Sequence, residues 1–435
     1  MNPSVPMRIL FCCQFYAPSV GGVQEVVRQL AERLVLRGHS VTIATTALPD
    51  RDFEMLNGVR VVGFEVAGNA VEGMSGDVAG FKRFVVEGNF DAMLVYAAQQ
   101  WTFDALWPVL DSIPFATVFV PCGFSNFYEP AYAPYFAEIP AVLAKFGQLV
   151  FNATHYRDID LARQHGLTNF CILPNGASAD MFNVAIDPLF RDSHKIAQDS
   201  FLFLTVGSFT GLKGHAELVR AFGQMRISPG RHATLLLNGN VVQRLDSGAP
   251  ALARKFVRIA RSRGLAYALK QVWDKVIRNK GSPHHQATRI NESFTDRRVV
   301  VSDFARPELT QAFMAADLFV FASNIEYSPL VLFESAAAGT PFLTVSAGNS
   351  AESAEWTGAG VVCPSSVDSK GYTRVSDEVL ADAMSGLMVQ TDLLARLGEA
   401  GRRTWAEKFT WEKIAIRYEE LFKRLIELNV ESKKR

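Results

Sequence analysis

The chain has 435 residues, of which 49% are hydrophobic, and its 44 basic side chains balance 44 acidic ones. This length exceeds one ordinary core and fits two domains, while the composition excludes a disordered or nucleic-acid-coating protein. The five cysteines are odd in number and show no Cys-x-x-Cys or Cys/His spacing, which indicates a reduced, cytoplasmic compartment.

The first half of the sequence opens with a βαβ pattern. Residues 1–6 lack the basic region of a signal sequence, and 7–13 form an apolar strand. Residues 14–22 form a loop, 23–37 carry apolar side chains at helical spacing, and 41–45 form a second strand. Further strands are predicted at 59–64, 92–96, 115–120, 149–152 and 170–173, and helices at 103–110 and 155–164. No stretch approaches the ~18 consecutive apolar residues of a membrane span.

The same pattern restarts after a polar linker at 183–200. Residues 201–206 form an apolar strand, 207–214 a glycine-containing loop and 217–225 a helix. Strands are predicted at 233–237, 299–302, 318–322, 342–345 and 360–362, and a last helix at 411–428. The sequence therefore predicts an α/β protein in which two doubly wound, Rossmann-like domains face each other across a cleft.

A long insertion, about 241–297, interrupts the second domain where a compact α/β fold needs only a short connection. Within residues 251–280, basic and apolar side chains alternate irregularly around a single acid, Asp274, which predicts one or two basic amphipathic helices. Such helices lie on an anionic membrane surface or pack on their own domain, and both interpretations stay open. We expect no nucleic acid, because no RNA-binding aromatic motif accompanies the charge.

The most informative spacing is that of Glu326 and Glu334, which flank seven residues after an apolar strand. Ser328-Pro329 is typical of a helix start, so one carboxylate lies in a loop and the other on a helix. Alone, such carboxylates are more typical of solvated positions. The string 326–341, however, resembles the E-x7-E signature of retaining glycosyltransferases of family 4, which have the GT-B fold.

The resemblance implies a metal-independent hexosyltransferase without a cofactor. Such an enzyme moves a sugar, with retention, from a nucleotide-sugar donor to a hydroxyl of a polysaccharide, glycolipid or small glycoside. It further implies an acceptor-side domain at 1–185, a donor domain at 186–408 and a helix at 409–435 that returns to the first domain. Glu326 would bond the transferred sugar and Glu334 the ribose hydroxyls, and no nucleophile is assigned. We expect a cytoplasmic protein, with peripheral membrane contact through 251–280 as the open alternative.

A donor diphosphate without a metal needs cationic side chains and backbone amides. By resemblance, Gly207 and Ser208 contact the donor and Lys213 contacts its phosphate. The family commonly has arginine where Ser208 stands, so one cationic ligand is missing or comes from elsewhere, for example from Arg306.

Other donor contacts are implied at two later segments. The amides of Leu330 and Val331 face the diphosphate, while Pro329, which replaces a common glycine, has no N–H to donate. Gly348 and Asn349 belong to a loop that closes over the phosphate.

In the first domain, Gly21 and Gly22 either form a tight turn or, by resemblance, let the backbone approach a ligand. Cys122-Gly123 stands where the family often has His-Gly. Because a thiol cannot replace imidazole as a hydrogen-bond donor, we expect Cys122 to line the pocket without catalysing the reaction. His39 is predicted to be a structural residue at a helix end.

Two Asp-x-Asp strings, at 50–52 and 158–160, do not directly follow apolar strands, and we predict solvated carboxylates at both. The changes at Ser208, Cys122 and Pro329 keep a second hypothesis open, namely a GT-B protein that binds nucleotide or glycan without turnover. A nucleotide-sugar epimerase or a phosphorylase is a third. A Rossmann dehydrogenase is disfavoured, since no Gly-x-Gly-x-x-Gly follows either opening strand.

Overall fold

The structure, a computed structural model, describes residues 5–239 and 283–434. The chain forms two compact units. Unit 1 comprises Met1–Ala179, Tyr327–Phe333 and Trp405–Arg435, and unit 2 comprises Asp180–Glu326 and Glu334–Thr404. The seven residues between the two motif glutamates thus belong with unit 1, whereas both glutamates belong with unit 2.

Unit 1 is built on an eight-stranded sheet that is parallel except for its last pair. Its strands are β1 (Arg8–Cys12), β2 (Ser40–Thr46), β3 (Met55–Leu56), β4 (Val59–Phe64), β7 (Ala92–Tyr96), β8 (Ala116–Val120), β9 (Gln148–Phe151) and β10 (Phe170–Ile172). They lie in the order β10-β9-β8-β7-β1-β2-β4-β3. A separate antiparallel hairpin joins β5 (Val66–Asn69) to β6 (Gly73–Gly76).

Unit 2 is built on a six-stranded parallel sheet. Its strands are β11 (Ser200–Val206), β12 (His232–Asn238), β13 (Arg297–Ser302), β14 (Leu318–Phe321), β15 (Phe342–Thr344) and β16 (Gly360–Val362). They lie in the order β13-β12-β11-β14-β15-β16. The short strands β17 (Ser366–Val367) and β18 (Thr373–Arg374) form an antiparallel pair.

Helices connect the strands as parallel sheets require. They are α1 (Gly22–Leu36), α2 (Val78–Val86), α3 (Trp101–Asp104), α4 (Ala133–Leu143), α5 (Arg157–Gln164), α6 (Ala179–Phe182), α7 (Phe190–Ser193), α8 (His215–Gln224), α9 (Pro283–Ser293), α10 (Arg306–Ala315), α11 (Leu330–Ala338), α12 (Ser350–Thr357), α13 (Asp377–Met388), α14 (Thr391–Thr404) and α15 (Trp411–Lys434). Short 3₁₀ turns span Trp107–Ser112 and Pro130–Tyr132, and a π-helical turn spans Trp405–Phe409. Among the described residues, no helix is both long enough and apolar enough to cross a membrane.

The two faces of the unit 1 sheet bury separate apolar clusters, because successive side chains of a strand point to opposite faces. On β1, Ile9 and Phe11 join the cluster that includes α1 and α15, while Leu10 and Cys12 join the cluster on the other face. Strands buried on both sides read as continuous apolar runs, which is why the sequence predicted them well.

The C-terminal helix α15 packs in unit 1 through an apolar stripe and through ion pairs in which one partner is buried. Arg33 of α1 lies 2.7 Å from the Glu412 carboxylate, and Arg37 pairs with Glu419. Hydrogen bonds from Lys423 and Arg37 outweigh burial and lower the pKa of Glu419 to about 2. His39 is buried beside this carboxylate and accepts a hydrogen bond from the Met7 N–H, as a structural histidine does.

The α/β architecture with parallel sheets is confirmed, and each predicted strand is present within two residues of its predicted bounds. The helix predicted at 103–110 is wrong. Helix α3 ends at Asp104 and a 3₁₀ turn begins at Trp107, because Pro108 cannot continue an α-helix. The basic segment 251–280 lies outside the described residues, as does most of the predicted insertion.

Candidate functional site

The loop between β11 and α8, residues 207–214, lies at the carboxyl edge of the unit 2 sheet. Gly214 has φ +69°, and a Cβ atom there would lie 1.8 Å from the Ala322 carbonyl oxygen. Only glycine fits this close approach. The Leu212 carbonyl accepts a hydrogen bond from the Asn324 N–H, so the loop is joined directly to the segment after β14.

Lys213 and Glu326, one on each of these segments, are in contact. Lys213 Nζ donates to Glu326 Oε1 at 2.5 Å, and the Ser323 hydroxyl donates to the same oxygen at 2.9 Å. Their side chains are 29% and 13% exposed, which leaves both within reach of a ligand. An ammonium group has three donors and a carboxylate several acceptor sites, so the pair keeps capacity for phosphate and hydroxyl groups.

The second motif carboxylate, Glu334 on α11, is 6% exposed and belongs to the same unit. Its Oε1 accepts a hydrogen bond from Arg306 Nη1 at 2.6 Å. Arg306 is the first residue of α10 and its side chain is 46% exposed. The arginine suggested as a diphosphate ligand is therefore engaged with Glu334. No sequence pattern predicted this pair.

The remaining predicted donor contacts lie on two helix starts. Leu330 and Val331 begin α11 and are half-buried, after a buried Pro329. Gly348 has φ +58° and precedes Asn349, which is fully buried at the N-cap position of α12. The Asn349 side chain thus lies inside unit 2, while Gly348 is the more accessible member of the predicted loop.

In unit 1, Gly21 and Gly22 begin helix α1. Gly21 has an extended backbone, and a Cβ on Gly22 would meet no atom within 4 Å. Neither glycine is required by local sterics alone. Ligand approach at Gly22 stays a prediction, and the open space around it is what such an approach needs.

Cys122 and Gly123 follow β8 in the left-handed region, with φ +60° and +83°. A Cβ on Gly123 would lie 2.7 Å from the Tyr327 ring, so only glycine fits there. Burial and the nearby Asp158 carboxylate raise the pKa of the Cys122 thiol to about 12, which keeps it protonated at neutral pH.

The prediction that Asp158 is solvated is wrong, since the residue is 0% exposed. It accepts a hydrogen bond from the Gly123 N–H at 2.9 Å and one from the Tyr327 hydroxyl, which in turn accepts from the Asn152 N–H. Burial raises the pKa of Asp158 to about 6 despite these bonds. The network fastens Tyr327 within unit 1. No sequence pattern predicts this hydrogen-bond network, because Tyr327 and Asn152 lie 175 residues apart.

A second buried carboxylate, Asp104 of α3, lies near the carboxyl end of β7 and is 3% exposed. The Tyr135 hydroxyl donates to it at 2.7 Å and the Ala70 N–H at 2.8 Å. Burial outweighs these bonds and raises its pKa to about 6. Sequence reasoning did not single out Asp104.

Within the described residues, no group of three or more His, Cys, Asp or Glu side chains is arranged to hold a metal ion. At the carboxyl edge of the unit 2 sheet, polar side chains form oppositely charged pairs, Lys213 with Glu326 and Arg306 with Glu334. Such pairs suit the binding of an anionic, hydroxyl-rich ligand.

Comparisons with known proteins identify two domain families in the chain. Residues 21–130 match the family model described as "Glycosyl transferase 4-like domain", and residues 290–404 match "Glycosyl transferases group 1". No curated protein matches the chain in sequence.

Solved structures share the fold across nearly the whole chain. Sucrose-phosphate synthase from Thermosynechococcus elongatus is 18% identical with a TM-score of 0.69, covering 97% of this chain and 100% of that one. Anabaena HepE, solved with UDP and glucose, is 16% identical with a TM-score of 0.64 and coverages of 96% and 100%. WaaG, a glycosyltransferase involved in lipopolysaccharide biosynthesis, is 17% identical with a TM-score of 0.59 and coverages of 95% and 99%. The chain therefore belongs to the glycosyltransferases of the GT-B fold and carries the two domains characteristic of the family-4 type.

Proposed function

We propose that this glycosyltransferase moves a hexose, with retention and without a metal ion, from a nucleotide sugar bound in unit 2 to a hydroxyl group of a glycan, glycolipid or small glycoside. The observation that carries the proposal is the 2.5 Å contact of Lys213 with Glu326. It lies where two parallel strands end and where helix α8 begins. Ligands of open α/β sheets bind at such edges.

In unit 2, the basic and acidic side chains bind different parts of the donor. Lys213 and the amides at the start of α8 offset the charge of the diphosphate, a role that a metal ion would otherwise fill. Glu326 accepts hydrogen bonds from the transferred sugar, and Glu334 accepts them from the ribose hydroxyls. In the proposed step the bond from the anomeric carbon to the phosphate oxygen breaks and a bond to the acceptor oxygen forms on the same face. The acceptor proton passes to the leaving phosphate.

UDP-glucose is the first donor to test, because HepE was solved with it. GDP-, ADP- and dTDP-sugars complete the panel, since pocket shape and a few hydrogen bonds select the base and the sugar.

The test is a transfer assay with each donor, an acceptor panel and EDTA. We expect nucleoside diphosphate release that depends on acceptor, persists in EDTA and gives a product with the donor's anomeric configuration by NMR. An inverted product or abolition by EDTA would contradict the corresponding part of the proposal. Turnover of a donor without acceptor would favour an epimerase. Tight donor binding with no transfer to any acceptor would favour a binding protein, the alternative raised by Ser208, Cys122 and Pro329.

We further propose that the enzyme works in the cytoplasm, in polysaccharide biosynthesis, and meets a membrane surface through the basic residues of 251–280. Basic residues near an anionic leaflet contribute about 1 kcal/mol each. Sedimentation with vesicles that contain anionic lipid should retain the protein at low salt and release it at high salt. Equal retention by neutral vesicles would contradict the membrane part of the proposal.

A further inference from the structure

His215 is the first residue of helix α8 and directly follows Lys213 and Gly214. The left-handed Gly214 turns the chain so that the imidazole lies inside unit 2, where the residue is 4% exposed. Helix α8 is ten residues long, and its first backbone N–H groups have no partner within the helix itself.

The imidazole is a buried polar group that hydrogen-bonds to nothing in the described part of the chain, through either Nδ1 or Nε2. Burial and the nearby Lys213 lower its pKa to about 4, so the ring is neutral at pH 7 and carries one N–H donor. Burying such a group without a partner costs free energy, and most buried polar groups are satisfied. His39 in unit 1 provides the contrast, because its Nδ1 accepts the Met7 N–H.

The ring lies directly under the start of the loop 207–214. Its Cε1 atom is 3.5 Å from the position that a Cβ on Gly207 would occupy. The half-buried Phe209 ring packs edge-on against it at a centroid distance of 4.9 Å. A Cβ on the neighbouring Gly239 would lie 2.2 Å from the Gly207 carbonyl oxygen, so the backbone is tightly packed at this point.

The loop itself has only one basic side chain, Lys213, and that group is paired with Glu326. A diphosphate carries several acceptor oxygens, and a second donor at the same helix start would bond one of them. A neutral imidazole can supply this donor without repelling the Lys213 ammonium. A second ammonium or guanidinium group in the same place would repel it.

We propose that His215 binds the donor, with its imidazole N–H donating a hydrogen bond to a diphosphate oxygen after the Phe209 side chain turns aside. This inference rests on the proposed function, since it assigns a residue to the same donor site.

The test compares UDP with uridine as ligands of the wild-type chain, His215→Phe and His215→Gln. GDP with guanosine, ADP with adenosine and dTDP with thymidine follow if UDP does not bind. Phenylalanine keeps an aromatic ring of similar size without a donor, while glutamine keeps an N–H donor. Titration calorimetry gives the affinities, and thermal unfolding shows that each variant is folded.

For His215→Phe we expect UDP affinity to fall roughly 10- to 100-fold, the usual effect of losing a hydrogen bond to a charged group. His215→Gln should recover most of this loss, and uridine affinity should stay the same in all three proteins. UDP affinity unchanged in His215→Phe would overturn the inference, and so would equal losses in both variants. A wild-type chain that binds none of the four diphosphates would overturn the proposed function as well.

Discussion

Replacing Glu326 by glutamine removes one charge from the partly buried pair with Lys213 and leaves the side-chain shape almost unchanged. The two atoms are 2.5 Å apart, and the Ser323 hydroxyl also donates to the same carboxylate. Breaking a fully buried pair costs about 3–5 kcal/mol, and an exposed pair contributes about 0–1 kcal/mol. With side chains 29% and 13% exposed, we expect a stability loss of about 1–2 kcal/mol.

The effect on catalysis should be larger than the effect on stability, because Glu326 is proposed to touch the reacting sugar. Loss of a charge-assisted hydrogen bond that strengthens in the transition state lowers kcat by about 10- to 100-fold. The dissociation constant of the donor should change by no more than about threefold, since the ribose and diphosphate contacts remain. Steady-state kinetics and donor titration measure the two quantities separately.

Asp382→Asn is the matched control, because it breaks an ion pair of the same unit whose side chains are 79% and 65% exposed. It should change stability by less than about 1 kcal/mol and leave kcat unchanged. If Glu326→Gln keeps a kcat within about twofold of the wild type, the assignment of Glu326 to the reacting sugar is refuted.

Three further predictions concern stability. Gly214→Ala should lower the unfolding free energy by roughly 2–4 kcal/mol and weaken donor binding, because the added Cβ would lie 1.8 Å from the Ala322 carbonyl oxygen. Gly211→Ala is the control: this glycine also has positive φ, but its added Cβ would meet no atom within 4 Å, so the loss should be only about 1 kcal/mol. Burial raises the pKa of Asp104 from 3.8 to about 6, so the stability contributed by its protonated form, up to about 3 kcal/mol, is lost as pH rises from 3.8 through 6. Asp104→Asn should flatten the slope of stability against pH between about pH 4 and 6. The pH dependence of Glu419 has the opposite sign, because its pKa is lowered from 4.5 to about 2. Its contribution to stability, about 1–2 kcal/mol after a discount for its half-exposed partners, is lost as pH falls from 4.5 through 2. Glu419→Gln should flatten the slope of stability against pH in this acid range.

Denaturant unfolding measures all three. Equal losses for the two glycine variants would show that space near Ala322 is not the constraint. A pH slope that survives Asp104→Asn, or an acid slope that survives Glu419→Gln, would show that other groups carry the titration.

The sequence predicted strands best where both faces of the strand are buried, because such a strand is a continuous run of apolar residues. Strands β11 and β14, which precede Lys213 and Glu326, are buried on both faces and were predicted to within two residues. Short or proline-interrupted elements were missed. The hairpin β5–β6 consists of four-residue strands whose glycines adopt positive φ, and helix α4 carries Pro140 in its interior. Neither element shows a clear spacing of apolar residues that would be typical of a strand or a helix.

The proximity of Lys213 and Glu326 could be predicted for a similar reason. Lys213 and Glu326 lie on separate loops, but both follow parallel strands, and the carboxyl ends of such strands meet at one edge. Side-chain hydrogen bonds between segments far apart in the sequence leave no local sequence pattern. The hydrogen bond of Arg306 to Glu334 and that of Tyr327 to Asp158 depend on the packed structure. The sequence therefore suggested Arg306 as a diphosphate ligand and Asp158 as a solvated carboxylate.

The central claim is that unit 2 binds a nucleotide sugar, with the Glu334 carboxylate accepting hydrogen bonds from its ribose hydroxyls. Calorimetric titration of UDP-, GDP-, ADP- and dTDP-sugars into the wild-type chain and into Glu334→Gln tests it most directly. We predict that at least one donor binds the wild-type chain and binds Glu334→Gln roughly 10-fold more weakly, because a carboxylate that accepts ribose hydroxyl bonds has lost its charge. Failure of every donor to bind, or equal affinity in the two proteins, would contradict the claim.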